Sequence, residues 1–256
     1  MRGMPSMSNH EPEPSASTSA EAAAGDPRRE ATRPEIEDLP QRLQAHLELS
    51  LEFKVPPEVR DPEAFLKWTS SQHHRVHSAV EGFLSQALAF GEWATLTPQE
   101  RRSFSFGCLL ISEEGLTNLV NYGLAGLTSK QKDGVMSRSE VSEREAGLEV
   151  LKRGLESGAI HSKQAAIVME VDAQSLKIRF RDTDGFPDFE QKVAERRTWH
   201  AHLHSGEDLV DESRGGRGIM LMVSFFQEVY LDRANGDRVC GTSVRDLKAR
   251  LKAEAA

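Results

Sequence analysis

Apolar and polar residues alternate over Leu47-Glu-Leu-Ser-Leu-Glu-Phe-Lys-Val55, the period of a half-buried strand, and Pro56-Pro57 ends the run. Asp61-Pro62-Glu63 then supplies an N-cap, a proline at the first helical position and an early acid. These residues predict a helix reaching about Phe90, with Phe65, Val76, Val80, Phe83, Leu84 and Leu88 on its apolar stripe. Thr97-Pro98-Gln99-Glu100 is a capping box, in which the threonine hydroxyl accepts from the Glu100 amide while the Glu100 side chain reaches back. The second helix it opens passes through Phe106, Leu109, Leu110, Leu116 and Val120 towards a stop at Gly123. Residues 128–162 read as a polar connector that is helix-prone around 142–155, with Gly158 as a breaker.

Two further alternating runs, 165–171 and 176–182, are separated by Asp172-Ala-Gln-Ser175 and predict a hairpin. Residues 183–213 are polar and irregular and read as a lid loop. Gly216-Arg217-Gly218 leads into an apolar helical run over 219–229, and the hairpin signal Asn235-Gly236 lies in the closing segment 230–239. The end of the chain, 244–256, is charged and helix-prone. This order predicts an α+β two-layer sandwich, a mixed β-sheet with helices on one face.

Composition divides the chain. Six of the eleven prolines lie in residues 1–40, so 1–45 reads as a disordered Pro/Ser/Ala/Glu-rich tail ahead of a domain over 46–245 and a helical tail over 246–256. The formal net charge of −8 argues against whole-protein attraction to nucleic acid or an anionic membrane. No window approaches the roughly 18–20 apolar residues of a membrane span, and the start of the chain has no apolar signal core, which points to a cytoplasmic protein. Cys108 and Cys240 stand far apart with no CxxC spacing and read as packing residues.

Chemistry concentrates in three places. Glu114 and Asn118 stand at i and i+4 on the second helix with Asn121 three further on, so a carboxylate and carboxamides continue an apolar stripe. Such a pair suits a nucleotide-bound Mg²⁺, Asn118 giving an oxygen while Glu114 positions or deprotonates a nucleophile; a solvent-facing helix edge is the alternative. Asp182 falls on the apolar face of its strand, where it can accept from an exocyclic amine such as that of adenine or cap the following turn. Arg214-Gly215-Gly216-Arg217-Gly218 precedes an apolar helix, an arrangement that favours phosphate at helix-start amides or an ordinary flexible loop.

Taken in order, Glu114-xxx-Asn118, Asp182 and Gly216-Arg217-Gly218-Ile219-Met220-Leu221-Met222 before Ser224-Phe225-Phe226-Gln227-Glu228-Val229 resemble the GHKL ATP-binding fold. The resemblance is to the anti-sigma-factor serine kinases of bacteria and spans about residues 47–245. It implies a Bergerat-type domain that binds ATP and Mg²⁺ and phosphorylates a serine of an anti-sigma-factor antagonist. By the same resemblance Glu114 activates the attacking hydroxyl, Asn118 holds the metal, and Asp182 meets the adenine amine. Gly216, Arg217 and Gly218 form the phosphate-facing lid turn, and a homodimer is implied. The first glycine turn departs from the family's DxGxG: here it reads Asp182-Thr183-Asp184-Gly185-Phe186, with Gly185 as a partial substitute after a one-residue shift. The final hairpin's usual threonine aligns with Cys240. Two alternatives stay open: a nucleotide-free interaction protein that sequesters a sigma factor or an antagonist, and a histidine-kinase catalytic domain, to which His73, His74 and His77 are relevant. His200, His202 and His204 would share a face of an extended segment, but no acidic or Cys ligand pattern accompanies them or the His73/His77 pair.

Overall fold

Asp61 caps the first helix as its spacing from Pro62 implies: Oδ1 accepts from the Ala64 amide at 2.9 Å, and α1 (Pro62–Ala87) follows. The Thr97 box opens α2 (Pro98–Asn118), with Thr97 N donating to Glu100 Oε2 at 2.7 Å and Glu100 N to Thr97 Oγ1 at 3.3 Å. A computed structural model of the protein describes residues 46–89, 91–137, 141–183, 188–205 and 217–254. The 1–45 tail, Gly185 and Gly216 lie outside the described residues.

The remaining elements in chain order are β1 (Leu47–Phe53) ahead of α1, then α3 (Ser129–Ser137), α4 (Val141–Glu156), β2 (Ala165–Val171) and β3 (Ser175–Asp182), followed by α5 (Phe189–Ser205), α6 (Arg217–Phe225), β4 (Glu228–Asp232), β5 (Asp237–Ser243) and α7 (Val244–Glu254). The fold is α+β, an open five-stranded sheet in the order β1-β2-β3-β5-β4. Every neighbouring pair is antiparallel, so the expected mixed sheet is corrected to an antiparallel one. The direction of β1 against β2 is set across the whole α1–α4 excursion, which no local pattern encodes.

One face of the sheet is dry. Ile167, Met169, Leu176, Ile178, Phe180 and Cys240 are all buried to within 1% exposure and join the apolar sides of the helices in one core, compatible with a two-layer sandwich. Burial of each large side chain there contributes about 1.5–3 kcal/mol. Trp93 is fully buried, yet its indole Nε1 still donates to the Asp172 carbonyl at 2.9 Å and its ring stacks on Phe104 at 4.8 Å. The opposite face is ionic: Arg179 pairs with Glu170 at 2.9 Å, and Arg181 grips Asp237 with two bonds of 2.8 Å.

Three segments differ from the sequence reading. The polar stretch read as a lid loop contains α5, fixed by buried Phe189 and Val193 one turn apart and by Arg197 donating to the Val229 carbonyl at 3.3 Å. The apolar run after Gly218 ends as a helix at Phe225, because Glu228 already pairs with Gly241 in the sheet. The connector over 128–162 holds two helices rather than one.

Candidate functional site

The second helix does not stop at Gly123. Past Asn118 it widens into a π-helical segment, Leu119–Leu124, in which the Ala125 amide reaches back to the Val120 carbonyl at 2.9 Å. Asn121, read as part of the polar stripe, is instead buried, and its Nδ2 donates to the Thr117 carbonyl at 2.7 Å. Gly123 serves a close approach: a Cβ there would stand 2.8 Å from Asp182 Cβ and 3.1 Å from Oδ2, so only glycine lets the strand-end acid lie on this helix.

Glu114 and Asn118 do share a face, Asn118 Nδ2 lying 3.4 Å from Glu114 Oε1. The head of α6 sits on them. A Cβ on buried Gly218 would meet Asn118 Nδ2 at 2.7 Å and Glu114 Cγ at 3.0 Å. The fold therefore brings Glu114, Asn118 and Gly218 together from distant parts of the chain. Arg217 begins the same helix; its side chain, like Gly185 and Gly216, is outside what is described. Within the same turn of α2, Phe180 lies against Gly115, and Asp182 lies against Gly123 further on, which lays the end of β3 along this helix.

Asp182 is inward, as the pleat requires, and it is already engaged. Its Oδ2 accepts from Arg238 Nη2 in an ion pair whose side chains are 2% and 7% exposed. Burial pushes the Arg238 pKa down, opposed first by Asp182 and then by Asp237. In the register of the final hairpin, Cys240 stands opposite Ile178, and Arg238, opposite Phe180, is the residue beside Asp182. Both cysteines are buried free thiols whose pKa values burial pushes up, consistent with packing roles.

A residue not singled out by the sequence reading completes the cluster. Lys132 on α3 donates through Nζ to Asn118 Oδ1 at 3.2 Å and stands 3.8 Å from Glu114 Oε1, with only 15% of its side chain exposed. Its ammonium also lies 5.3 Å from the Tyr122 ring centroid. The signal that could have found it is Thr128-Ser-Lys-Gln131. This is a second capping box, with Thr128 N donating to Gln131 Oε1 at 3.0 Å and Gln131 N to Thr128 Oγ1 at 3.3 Å. That cap starts α3 so that Lys132 falls in its first turn, facing Asn118.

The histidines separate. His77 Nδ1 lies 2.6 Å from Glu113 Oε1, and this hydrogen bond raises the His77 pKa. His73 Nε2 is 3.4 Å from Thr117 Oγ1, and burial lowers the His73 pKa. The His77 pair therefore stabilises the fold below the ordinary value of 6.5 and loses that contribution as pH rises through the raised value. His73 has the opposite sign, weakening the fold as pH falls below 6.5. Titration of the ring protons by NMR is expected to give His77 a midpoint above 6.5 and His73 one below it, with Glu113→Gln abolishing only the first displacement. Coincident midpoints would contradict the assignment. On α5, His200, His202 and His204 follow a helical rather than an extended course, so alternation no longer puts them on one side. Elsewhere among the described residues, His46, Glu48 and Glu170 bring possible ligand atoms within 4.8 Å of one another, but Glu170 is paired to Arg179.

Tested for fit, the two ends of the site give different answers. Glu114 and Asn118 offer hard oxygen donors of the kind Mg²⁺ takes, and a cation already stands on them in the form of the Lys132 ammonium. Asp182 Oδ2, by contrast, is already taken up by the Arg238 guanidinium. Among the described residues, no helix is long and apolar enough to cross a membrane. Compared with known proteins, the chain matches no family model and no curated sequence.

Proposed function

We propose that the chain is a histidine-kinase-like, Bergerat-type ATP-binding protein that acts as a protein serine/threonine kinase of the anti-sigma-factor kind. The observation that carries the reading is the seating of Gly218, at the head of α6, directly on the Glu114–Asn118 pair. A helix start offers amides without helical partners to an anion, and the pair beneath offers oxygens to a cation. In this reading Asn118 holds Mg²⁺ through Oδ1. Glu114 orients a partner's serine hydroxyl and accepts its proton, and the α6 amides with Arg217 and Gly218 hold phosphate oxygens. Bound ATP and Mg²⁺ supply the γ-phosphoryl group and its charge neutralisation. The protein's contribution is positioning, which phosphoryl transfer needs more than covalent chemistry. The partner is an anti-sigma-factor antagonist or a sigma factor.

Arg238 favours a second reading. A guanidinium held against Asp182 satisfies the acid that would otherwise receive adenine, as in a nucleotide-independent docking module that keeps the fold and binds its partner directly. A thermal melt separates the two. Mg-ADP at 100 times its dissociation constant stabilises by about 2.7 kcal/mol. For a domain of this size that is a rise of roughly 5–10 °C. The kinase reading expects the rise, and expects Asp182→Asn to abolish it. No rise at millimolar nucleotide removes the kinase reading and leaves the docking module.

A further inference from the structure

The α3–α4 hairpin is not a slack connector. Its helices approach through glycines: a Cβ on Gly147 would stand 2.5 Å from Val135 Cγ2, and one on Gly134 would stand 2.5 Å from the Arg144 amide nitrogen. Leu151 and Leu155 of α4 are buried in the main core and Val135 anchors α3, so the hairpin is tied to the body of the domain. The capped start of α3 then aims Lys132 at one spot, the oxygens of Asn118 and Glu114. An ammonium held among carboxylate, carboxamide and the Tyr122 ring, and largely out of water, is a specific contact rather than a solvated surface charge.

We propose that Lys132 is a built-in cation at this site: its ammonium occupies the Asn118 oxygen that a divalent ion would take, so docking of α3 and entry of the metal exclude one another. The inference rests on the reading of Asn118 as a metal ligand given above. Its physical basis is simple. Asn118 Oδ1 is a single small acceptor, Nδ2 of the same amide is turned to Glu114, and two cations cannot share that oxygen without direct repulsion. Metal arriving there must displace the lysine, and the first turn of α3 must move with it. The site is thereby held neutral and closed until a metal, or a metal–nucleotide pair, competes successfully.

The experiment uses the full chain and Mn²⁺ as the probe, with free ion read by electron paramagnetic resonance, in the absence and presence of ADP. Lys132→Met is expected to bind Mn²⁺ at least tenfold more tightly than the wild type, and Lys132→Arg, which keeps the charge, to bind like the wild type. In the wild-type chain, saturating Mn²⁺ is also expected to speed amide hydrogen exchange in α3 while α2 stays protected. Equal Mn²⁺ binding by the wild type and Lys132→Met, including no binding by either, overturns the proposal. Weaker binding by Lys132→Met overturns it as well, since the lysine would then serve the ligand instead of opposing it. If Lys132→Met tightens Mn²⁺ binding but ADP changes nothing in any variant, the competition stands and the nucleotide reading falls.

Discussion

Exchanging Arg238 for methionine is expected to remove roughly 3–5 kcal/mol of folding stability, the cost of leaving a buried carboxylate without its partner. The carboxylate is Asp182, 2% exposed and pressed against Gly123, where water has little access. The pair need not be strongly stabilising for this to hold. Desolvation of both ions offsets much of their attraction, so an apolar replacement of both groups can come out near neutral, whereas removal of one strands the other. Urea denaturation should therefore show a large fall in midpoint for Arg238→Met and recovery of most of it in Arg238→Met combined with Asp182→Asn. A single-variant loss below about 1 kcal/mol would mean that Asp182 is hydrated or protonated instead of being held by the arginine. The same ion pair bears on function: if the arginine keeps the acid from a base, Arg238→Thr should strengthen nucleotide binding even as it weakens the fold.

The parts of this molecule that were legible in the sequence are those whose causes are local. Asp61 with Pro62 and Thr97 with Glu100 set two helix starts within four residues each, and both caps form as their spacing requires. The β2–β3 hairpin follows from alternation around a short polar turn, and the β4–β5 turn from its Asn235-Gly236 signal. What was not legible depends on partners far away in the chain. Arg238 faces Asp182 only because β3 and β5 pair in one register, and a one-residue slip would send it to the ionic face. Lys132 reaches Asn118 only through the docking of a hairpin whose composition is that of a linker. α5 was hidden for another reason: its polar residues are interrupted by few apolar ones, and Phe189 with Val193 is a short stripe on which to infer a helix. In the candidate site, the Glu114–Asn118 face was readable from i,i+4 spacing, but the cations that meet it and Asp182 were not.

The second large effect is expected at Gly115, where the sign of a glycine-to-alanine change is decided by two opposed magnitudes. In a helix interior alanine is favoured over glycine by about 1 kcal/mol, so propensity alone predicts that Gly115→Ala stabilises α2. Packing opposes it. The new methyl carbon would stand 2.6 Å from Cδ1 and 2.8 Å from Cζ of Phe180, well inside the roughly 3.5–4.0 Å of ordinary carbon contact. Phe180 is 1% exposed on a central strand, paired with Ile167 on one side and Arg238 on the other, so the ring has no open space to enter and the strand cannot shift without breaking its register. Overpacking of this kind costs about 1–3 kcal/mol and sometimes more, and the severity of this overlap puts it at the upper end. We expect a net loss of about 2 kcal/mol in urea denaturation. Gly115→Ala with Phe180→Leu should be less destabilised than the sum of the single changes, because the smaller side chain vacates the space that the methyl needs. Strict additivity, or a Gly115→Ala protein as stable as the wild type, would show that α2 and β3 do not approach this closely. The consequence would reach the site, since Glu114 is the adjacent residue and the spacing of α2 from β3 sets where Glu114 and Asn118 meet the head of α6.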